Sequence, residues 1–270
     1  MADARASKAR DRKIMWVQLP PPAPFNMPKS KLPSRNYKWS PELAYIVGLL
    51  ATDGNLSKDG RHINMRSSDK DLLKTFKTCL KLNNKIAQSV NDGYAKKPSF
   101  RIQFSNIQFY HWLLKIGLFP AKTYTIGKIK IPNLYFRDFL RGHLDGDGSV
   151  YTYIDKYNNY RGRNYINQRV YVKFISASQA HINWLHEGIK RLSRTKGSLQ
   201  CNRHTKTNRV PIWEIKFSKK ESLQLLNWIY YQENLPCLER KKKLVMKILD
   251  LLATEKRKIY TLVHREKEIR

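Results

Sequence analysis

Acidic residues are scarce in this chain: 21 Asp and Glu stand against 52 Lys and Arg, for a formal charge of +31. A deficit of that size calls for a polyanionic partner and speeds encounter with phosphates, but it names no fold and no chemistry, because a ribosomal or RNA-binding protein carries the same sign. Long apolar runs are missing too. The longest are broken by charge well short of a membrane span, and Asp and Lys stand near Met1 where a secretory apolar core would be. The expectation is an intracellular protein with no membrane partner, cytoplasmic, nucleoid-associated or organellar, and not secreted. There are three cysteines, Cys79, Cys201 and Cys237, an odd number without a close pair. Neither a disulfide framework nor a thiolate zinc site is supported, and reduced core thiols are expected. The seven histidines show no metal-ligand spacing.

What is present suffices for a core: 41% of residues are apolar, with 6 Trp, 15 Tyr and 10 Phe. Residues 1–37 are basic and then rich in proline, from Pro20 to Pro28, which denies the segment ladder hydrogen bonds and reads as a flexible arm. From Trp39 the signals become regular. Ser40 is a helix N-cap, Pro41 suits the first helical position, Glu42 sits in the first turn, and Leu43 to Leu50 is apolar. Asp59-Gly60 marks a hairpin turn before alternation over His62 to Arg66. A helix is expected over about Asp69 to Leu82, with Leu72, Leu73, Phe76 and Leu80 on one face. A second strand pair flanks Asp92-Gly93 and ends in Phe100-Arg101-Ile102-Gln103-Phe104-Ser105, after which Asn106 opens a helix to about Gly117.

This order recurs. Gly48-Leu49-Leu50-Ala51-Thr52-Asp53-Gly54 returns as Gly142-His143-Leu144-Asp145-Gly146-Asp147-Gly148, and Phe100 to Ser105 returns as Trp213-Glu214-Ile215-Lys216-Phe217-Ser218. A tandem duplication follows, each copy αββαββα, with extra residues in the second copy placed in the polar stretch Asp155 to Arg169. The expected class is α+β: two repeats, each with a four-stranded antiparallel sheet, forming a saddle around a central two-helix interface. The divisions are a 1–37 arm, an N-terminal repeat over 38–128, a C-terminal repeat over 129–252, and a basic helix or tail over 253–270.

Both nine-residue segments, Ile46 to Gly54 and Leu140 to Gly148, resemble the signature of LAGLIDADG homing endonucleases of the single-chain, two-repeat type. The run Phe136 to Gly142 before the second is equally typical of that family. The first copy departs by having Ala51 where the second has Asp145, but that is not the family's catalytic position. The resemblance covers roughly Trp39 to Leu252. It implies catalytic carboxylates at Asp53 and Asp147, with the carbonyls of Thr52 and Gly146 as further metal ligands. It also implies a lysine at the end of each repeat, for which Lys122 and Lys241 are the candidates, Arg240 and Lys242 being alternatives to the second.

The chemistry has its own logic. Gly48 with Thr52, and Gly142 with Gly146, are small residues four apart that let two helices approach closely. Parallel packing then brings Asp53 and Asp147 together, both at the negative ends of helix dipoles, an arrangement that a divalent cation resolves. Hard ions such as Mg²⁺ take carboxylate and carbonyl oxygens and can stabilise both oxygens of a phosphodiester displacement. The expected cofactor is therefore Mg²⁺, with Mn²⁺ able to substitute and Ca²⁺ binding without supporting cleavage. Water-positioning groups are sought near Ser67, Ser68, Ser176 and Ser178.

Outward-facing strand residues are the candidates for DNA contact: Lys58, Arg61, His62, Asn64, Arg66, Arg101 and Gln103 in the first half. The second half offers Tyr151, Tyr153, Arg161, Arg163, Lys173, Asn202, Arg203, Lys206 and Lys216. His143 is expected to pack or to face solvent. The resulting expectation is a monomeric, intron- or intein-type endonuclease cutting both strands of a long asymmetric duplex site, the 3′ overhangs being implied by the resemblance alone. The alternatives are a maturase that binds its intron RNA on the same scaffold, a protein with both activities, and a non-cutting DNA-binding regulator.

Overall fold

The computed structural model describes residues 37–89, 98–160, 163–202 and 210–251, with 157–160 and 163–165 described in backbone only. The arm over 1–36, the Asp92-Gly93 turn, Arg161, Arg203, Lys206 and the 253–270 tail therefore lie outside the described residues, as does the Arg163 side chain.

The first repeat runs α1 (Pro41–Thr52), β1 (Gly54–Leu56), β2 (His62–Ser67), α2 (Lys70–Cys79), β3 (Ala87–Ser89), β4 (Ser99–Ser105) and α3 (Ile107–Ile116). The second runs α4 (Phe136–Gly146), β5 (Ser149–Tyr160), β6 (Arg163–Ser176), α5 (Gln179–Ser193), β7 (Ser198–Asn202), β8 (Ile212–Phe217) and α6 (Lys219–Ile229). A further helix, α7, is described over 239–251. The element order is the same in both halves. So is the sheet order, β1-β2-β4-β3 and β5-β6-β8-β7, with every pairing antiparallel. The α+β class and the duplicated architecture are thus what the structure shows.

Local chemistry accounts for the elements. The Ser40 side chain accepts from the Leu43 N–H at 3.2 Å and Pro41 follows it, so α1 starts where a capped helix should. Every residue of α1 from Ala44 to Leu50 is buried, because the helix runs through the middle of the molecule instead of lying on its surface. At the β1–β2 turn Gly60 takes φ +79°, and Asp59 Oδ1 accepts from the Arg61 and His62 amides.

One difference from the sequence reading has a clear cause. Helix α2 stops at Cys79, short of Leu82, because Lys81 adopts a left-handed φ of 52° and the Leu82 N–H turns back to the Lys77 carbonyl. The extra length of the second copy falls in the polar stretch where the sequence placed it. It extends the β5–β6 pair into a ribbon that pairs as far as Tyr160↔Arg163, with a register shift between Asp155 and Asn158.

Helices α1 and α4 cross at their glycines. A methyl on Gly48 would stand 2.8 Å from the His143 nitrogen, and one on Gly142 would stand 3.1 Å from the Leu49 nitrogen and closer still to the Tyr45 carbonyl oxygen. The two backbones touch there, so neither position accommodates a side chain. One hydrophobic cluster spans both repeats across this contact.

Candidate active site at the helix interface

Each acid closes its central helix. Asp53 has φ −88° and ψ −7° with its N–H on the Leu49 carbonyl, and Asp147 has φ −91° and ψ −4° with its N–H on the His143 carbonyl. Equal conformations at matching places, on helices that touch about one and a half turns earlier, put both carboxylates at one corner of the interface. A methyl on Gly146 would lie 3.2 Å from Asp53 Oδ2 and would overlap the Thr52 hydroxyl. The end of α4 therefore faces the Asp53 carboxylate with no side chain between them.

The electrostatics register this crowding. Burial pushes the Asp53 carboxyl up to about 6, the Asp147 charge adds to the rise, and the Lys241 and Lys122 cations pull the other way. Burial likewise raises Asp147, opposed by Lys122 and Lys241. Asp53 is half-buried and Asp147 exposed at its rim, so the corner opens to solvent on the Asp147 side. Protein hems Asp147 on its other flanks, which is why an exposed carboxyl still shifts.

The lysines occupy matching posts. Lys122 is buried and donates through Nζ to the carbonyl of Gly54, the residue after Asp53. Lys241, also buried, donates to the carbonyl of Gly148, the residue after Asp147, at 2.7 Å, and to the carbonyls of Leu144 at 2.5 Å and Asp145 at 3.0 Å. Burial lowers the Lys122 ammonium to about 8 against the pull of Asp147 and Asp53. It lowers Lys241 as well, with Asp145, Asp53 and Asp147 opposing. Of the three basic candidates at the second repeat's end, Lys241 alone reaches this corner. Arg240 pairs with Asp69 at 2.8 Å on the surface, and Lys242 donates to the Glu233 carbonyl at 2.6 Å.

Two repelling carboxylates flanked by helix-end carbonyls form a donor set suited to a hard cation. Among the described residues no three His, Cys, Asp or Glu side chains converge on a metal position. A cation at this corner would thus complete its shell with carbonyl oxygens, water or ligand oxygens, as Mg²⁺ does, and not with a four-side-chain cage as structural zinc does.

A family model described as a LAGLIDADG-like domain matches residues 40–115. Over the fold, the chain superposes on the I-LtrWI LAGLIDADG homing endonuclease, solved with target DNA bound, at a TM-score of 0.53 with 15% identity, covering 79% of this chain and 91% of that one. The chain is a two-repeat protein of the LAGLIDADG fold. Full-length WhiA from Thermatoga maritima superposes at a TM-score of 0.48 with 15% identity, covering 86% of this chain and 70% of that one. An uncharacterised protein of Methanocaldococcus jannaschii is 28% identical over 133 residues, which is 46% of this chain and 47% of that protein. The matched region thus spans about half the length of that relative.

Within this fold the strand register sorts the predicted DNA-contact residues. Ile63, Met65, Ile102 and Phe104 are buried against the helices, so His62, Asn64, Arg66, Arg101 and Gln103 share the opposite face, with Asn64↔Gln103 and Arg66↔Arg101 as direct partners. Lys58 and Arg61 sit beyond them at the hairpin turn, both exposed. In the second sheet Val150, Val170, Val172 and Phe174 are buried, which leaves Tyr151, Tyr153 and Lys173 on the outer face with Lys216, the register partner of Lys173. Asn202 lies on β7 opposite Ile212.

Three of the four candidate serines make structural hydrogen bonds. Ser67 and Ser176 Oγ each accept, at 3.1 Å, from the amide two residues on, Asp69 and Ser178, turning the chain into α2 and α5. Ser178 also donates to the Ile126 carbonyl at 2.5 Å. His143 packs, 1% exposed, stacked on His181 at 5.4 Å between ring centroids.

Sequence reasoning missed the buried scaffold beneath Lys241. Arg141, fully buried, donates to the carbonyls of Pro236 at 2.8 Å and Ile229 at 3.1 Å and pairs with Asp138 at 2.8 Å. Asp145 accepts from Tyr45 Oη at 2.9 Å and from the Leu238 amide at 2.7 Å. Together they tie α4 to the loop that delivers Lys241. The signal was available as three charges, Asp138, Arg141 and Asp145, inside an otherwise apolar helix face.

Among the described residues no helix is long and apolar enough to cross a membrane.

Proposed function

We propose that this chain is a homing-type DNA endonuclease that hydrolyses one phosphodiester in each strand of a long asymmetric duplex site, as a monomer, leaving 3′ overhangs. The observation that carries the reading is the convergence of two helix-ending carboxylates and two buried lysines from four separated places in the chain. A corner holding two raised carboxylates has no structural use that an amide pair would not serve better, so its upkeep indicates chemistry.

Asp53 and Asp147, with the carbonyls of Thr52 and Gly146, are the residues that would hold Mg²⁺. Bound there, a divalent cation supplies charge that stabilises the attacking and leaving oxygens of a phosphodiester displacement. The protein's own groups do the rest. In each strand a water oxygen forms a bond to phosphorus, the bond from phosphorus to the leaving oxygen breaks, and the water's proton passes to solvent while the leaving oxygen gains one. Lys122 and Lys241, each held on a glycine carbonyl beside an acid, place positive charge where the phosphate and the leaving oxygen become more negative. The two-sheet outer surface with its exposed basic side chains supports duplex DNA as the substrate.

The test is to incubate wild type, Asp53→Asn and Asp147→Asn with a genomic or randomised duplex library, with Mg²⁺ and with EDTA, and to sequence the ends. Recurrent Mg²⁺-dependent ends at one long site, lost in both variants while binding persists, are expected. Tight duplex binding with no cutting under Mg²⁺ or Mn²⁺ overturns the enzyme reading and leaves a non-cutting regulator. Binding confined to structured RNA leaves the maturase.

A further inference from the structure

The two sheets carry their outer-face charge differently, and the difference has consequences for base reading. On the second sheet three cations are already answered: Lys173 pairs with Glu214 at 2.9 Å, Arg169 with Asp155 at 3.0 Å, and Lys216 lies 4.2 Å from the centre of the Tyr171 ring. Beside them lies phenol surface, with Tyr151 stacked on Tyr171 at 5.2 Å.

The first sheet is the reverse. Arg66 and Arg101 are direct register partners on one face, two cations side by side, which destabilises a sheet until an anion or a row of acceptors comes between them. Ser99 Oγ accepts from Arg66 Nε at 3.0 Å and from its Nη2 at 2.9 Å. That contact uses one edge of the guanidinium and leaves Nη1 and the second Nη2 hydrogen for another acceptor. Arg101, and the side-chain amides of Asn64 and Gln103 in the next register pair on that face, have no partner among the described residues.

Resting on the duplex-DNA reading above, we infer that the first sheet is the half of the saddle that reads purines through hydrogen bonds. Arg66 and Arg101 take guanine, and Asn64 and Gln103 take adenine at a fixed offset. The chemistry is the match of an arginine fork to guanine O6 and N7, and of a carboxamide to adenine N6 and N7, in the major groove. The offset follows from the pleat. Two residues along a strand advance about 6.6 Å, which is about two base-pair steps. The direction follows from the register: Gly54 follows Asp53 and pairs with Met65, so Arg66 stands nearer the acids and Asn64 farther out. Outward from the cut, a guanine contact comes first and an adenine contact about two base pairs later. The other half-site lacks this signature, because at the matching register positions the second sheet carries Ile175↔Glu214 and Lys173↔Lys216, with no arginine and no carboxamide.

The test selects a randomised duplex library for binding to the full chain in Ca²⁺ and sequences the bound pool, for wild type, Arg66→Lys, Arg101→Lys and Asn64→Ala. Wild type should enrich the guanine-then-adenine pattern in one half-site only. Each arginine-to-lysine variant keeps its charge but loses the fork, so guanine preference should fall ~10- to 100-fold while affinity for random duplex stays level. Asn64→Ala should weaken only the adenine position. Guanine preference unchanged in both lysine variants, or a bound pool with no such pattern, overturns the inference and leaves DNA binding standing. Failure to bind any duplex overturns both. Because the selection reads binding, an absence of cleavage touches only the enzyme reading.

Discussion

Replacing Gly142 by alanine tests the central contact most directly, because two effects of opposite sign compete. In an unconstrained helix the change stabilises by about 1 kcal/mol, since glycine is the costlier residue to order. Here the new methyl would sit 3.0 Å from the Tyr45 carbonyl carbon and 3.1 Å from the Leu49 nitrogen, with the Tyr45 oxygen nearer still. Carbon prefers neighbours at about 3.5 to 4 Å, so α1 and α4 must separate by roughly 1 Å. Both helices are locked in the core, with Tyr45, Ile46, Leu49, Phe139 and Leu140 fully buried, so separation loosens packing along the whole crossing. Overpacking of this kind costs ~1–3 kcal/mol, and backbone clashes lie at the upper end. The clash therefore wins, and a net loss of about 2–3 kcal/mol is expected from urea denaturation, read as a lower midpoint at unchanged slope. Gly127→Ala, where a methyl would meet nothing within 4 Å, is the control and should stay within about 0.5 kcal/mol of wild type. Misplacing the acids by about 1 Å should also lower any cleavage rate ~100-fold. A Gly142→Ala protein as stable as wild type would show that the helices do not touch as described.

Other consequences can be measured. Asp53 has a folded pKa near 6 against an ordinary value of 3.8. A raised folded pKa means that the stability this carboxyl contributes is fully present below pH 4 and is lost as pH rises through 6. In EDTA, Asp53→Asn should accordingly be the more stable protein above pH 6, by at most about 3 kcal/mol, with no advantage at pH 4. Parallel thermal melts across that range would refute this if the gap failed to change with pH. Removing Lys241 leaves three buried carbonyls short of a donor, whereas removing Lys122 leaves one. Lys241→Met should thus lower the denaturation midpoint more than Lys122→Met, by roughly 2 kcal/mol. Asp138→Ala strands the fully buried Arg141 guanidinium and should cost ~3–5 kcal/mol in the same assay.

Much of this architecture was legible because duplication doubles every weak signal. Ser40-Pro41 marked the start of α1, the two Gly-x-x-x-(Thr/Gly)-Asp-Gly runs marked the crossing, and the return of Phe100–Ser105 as Trp213–Ser218 pointed to matching sheets. The end of α2 was not legible, because the left-handed residue there is Lys81, which carries none of the signal a glycine would. The choice among Arg240, Lys241 and Lys242 was also beyond the sequence. Three adjacent cations differ only in where a helix start points them, and that depends on Leu238 and Asp145, far apart in the chain. The same holds for charge pairing on the sheets. Which lysine meets Glu214 is a matter of strand register between β6 and β8, which no local pattern of residues encodes.

The four groups at the corner are also spread along the chain in a telling order. Asp53, Lys122, Asp147 and Lys241 arise in succession, the last of them on the final described helix. During synthesis, a chain that has emerged only as far as α6 holds three of the four and lacks the side chain that bridges the Leu144, Asp145 and Gly148 carbonyls. Completion of the corner therefore waits on α7. A product terminated before that helix, however well its first sheet folds, lacks Lys241 and with it the donor to those three carbonyls.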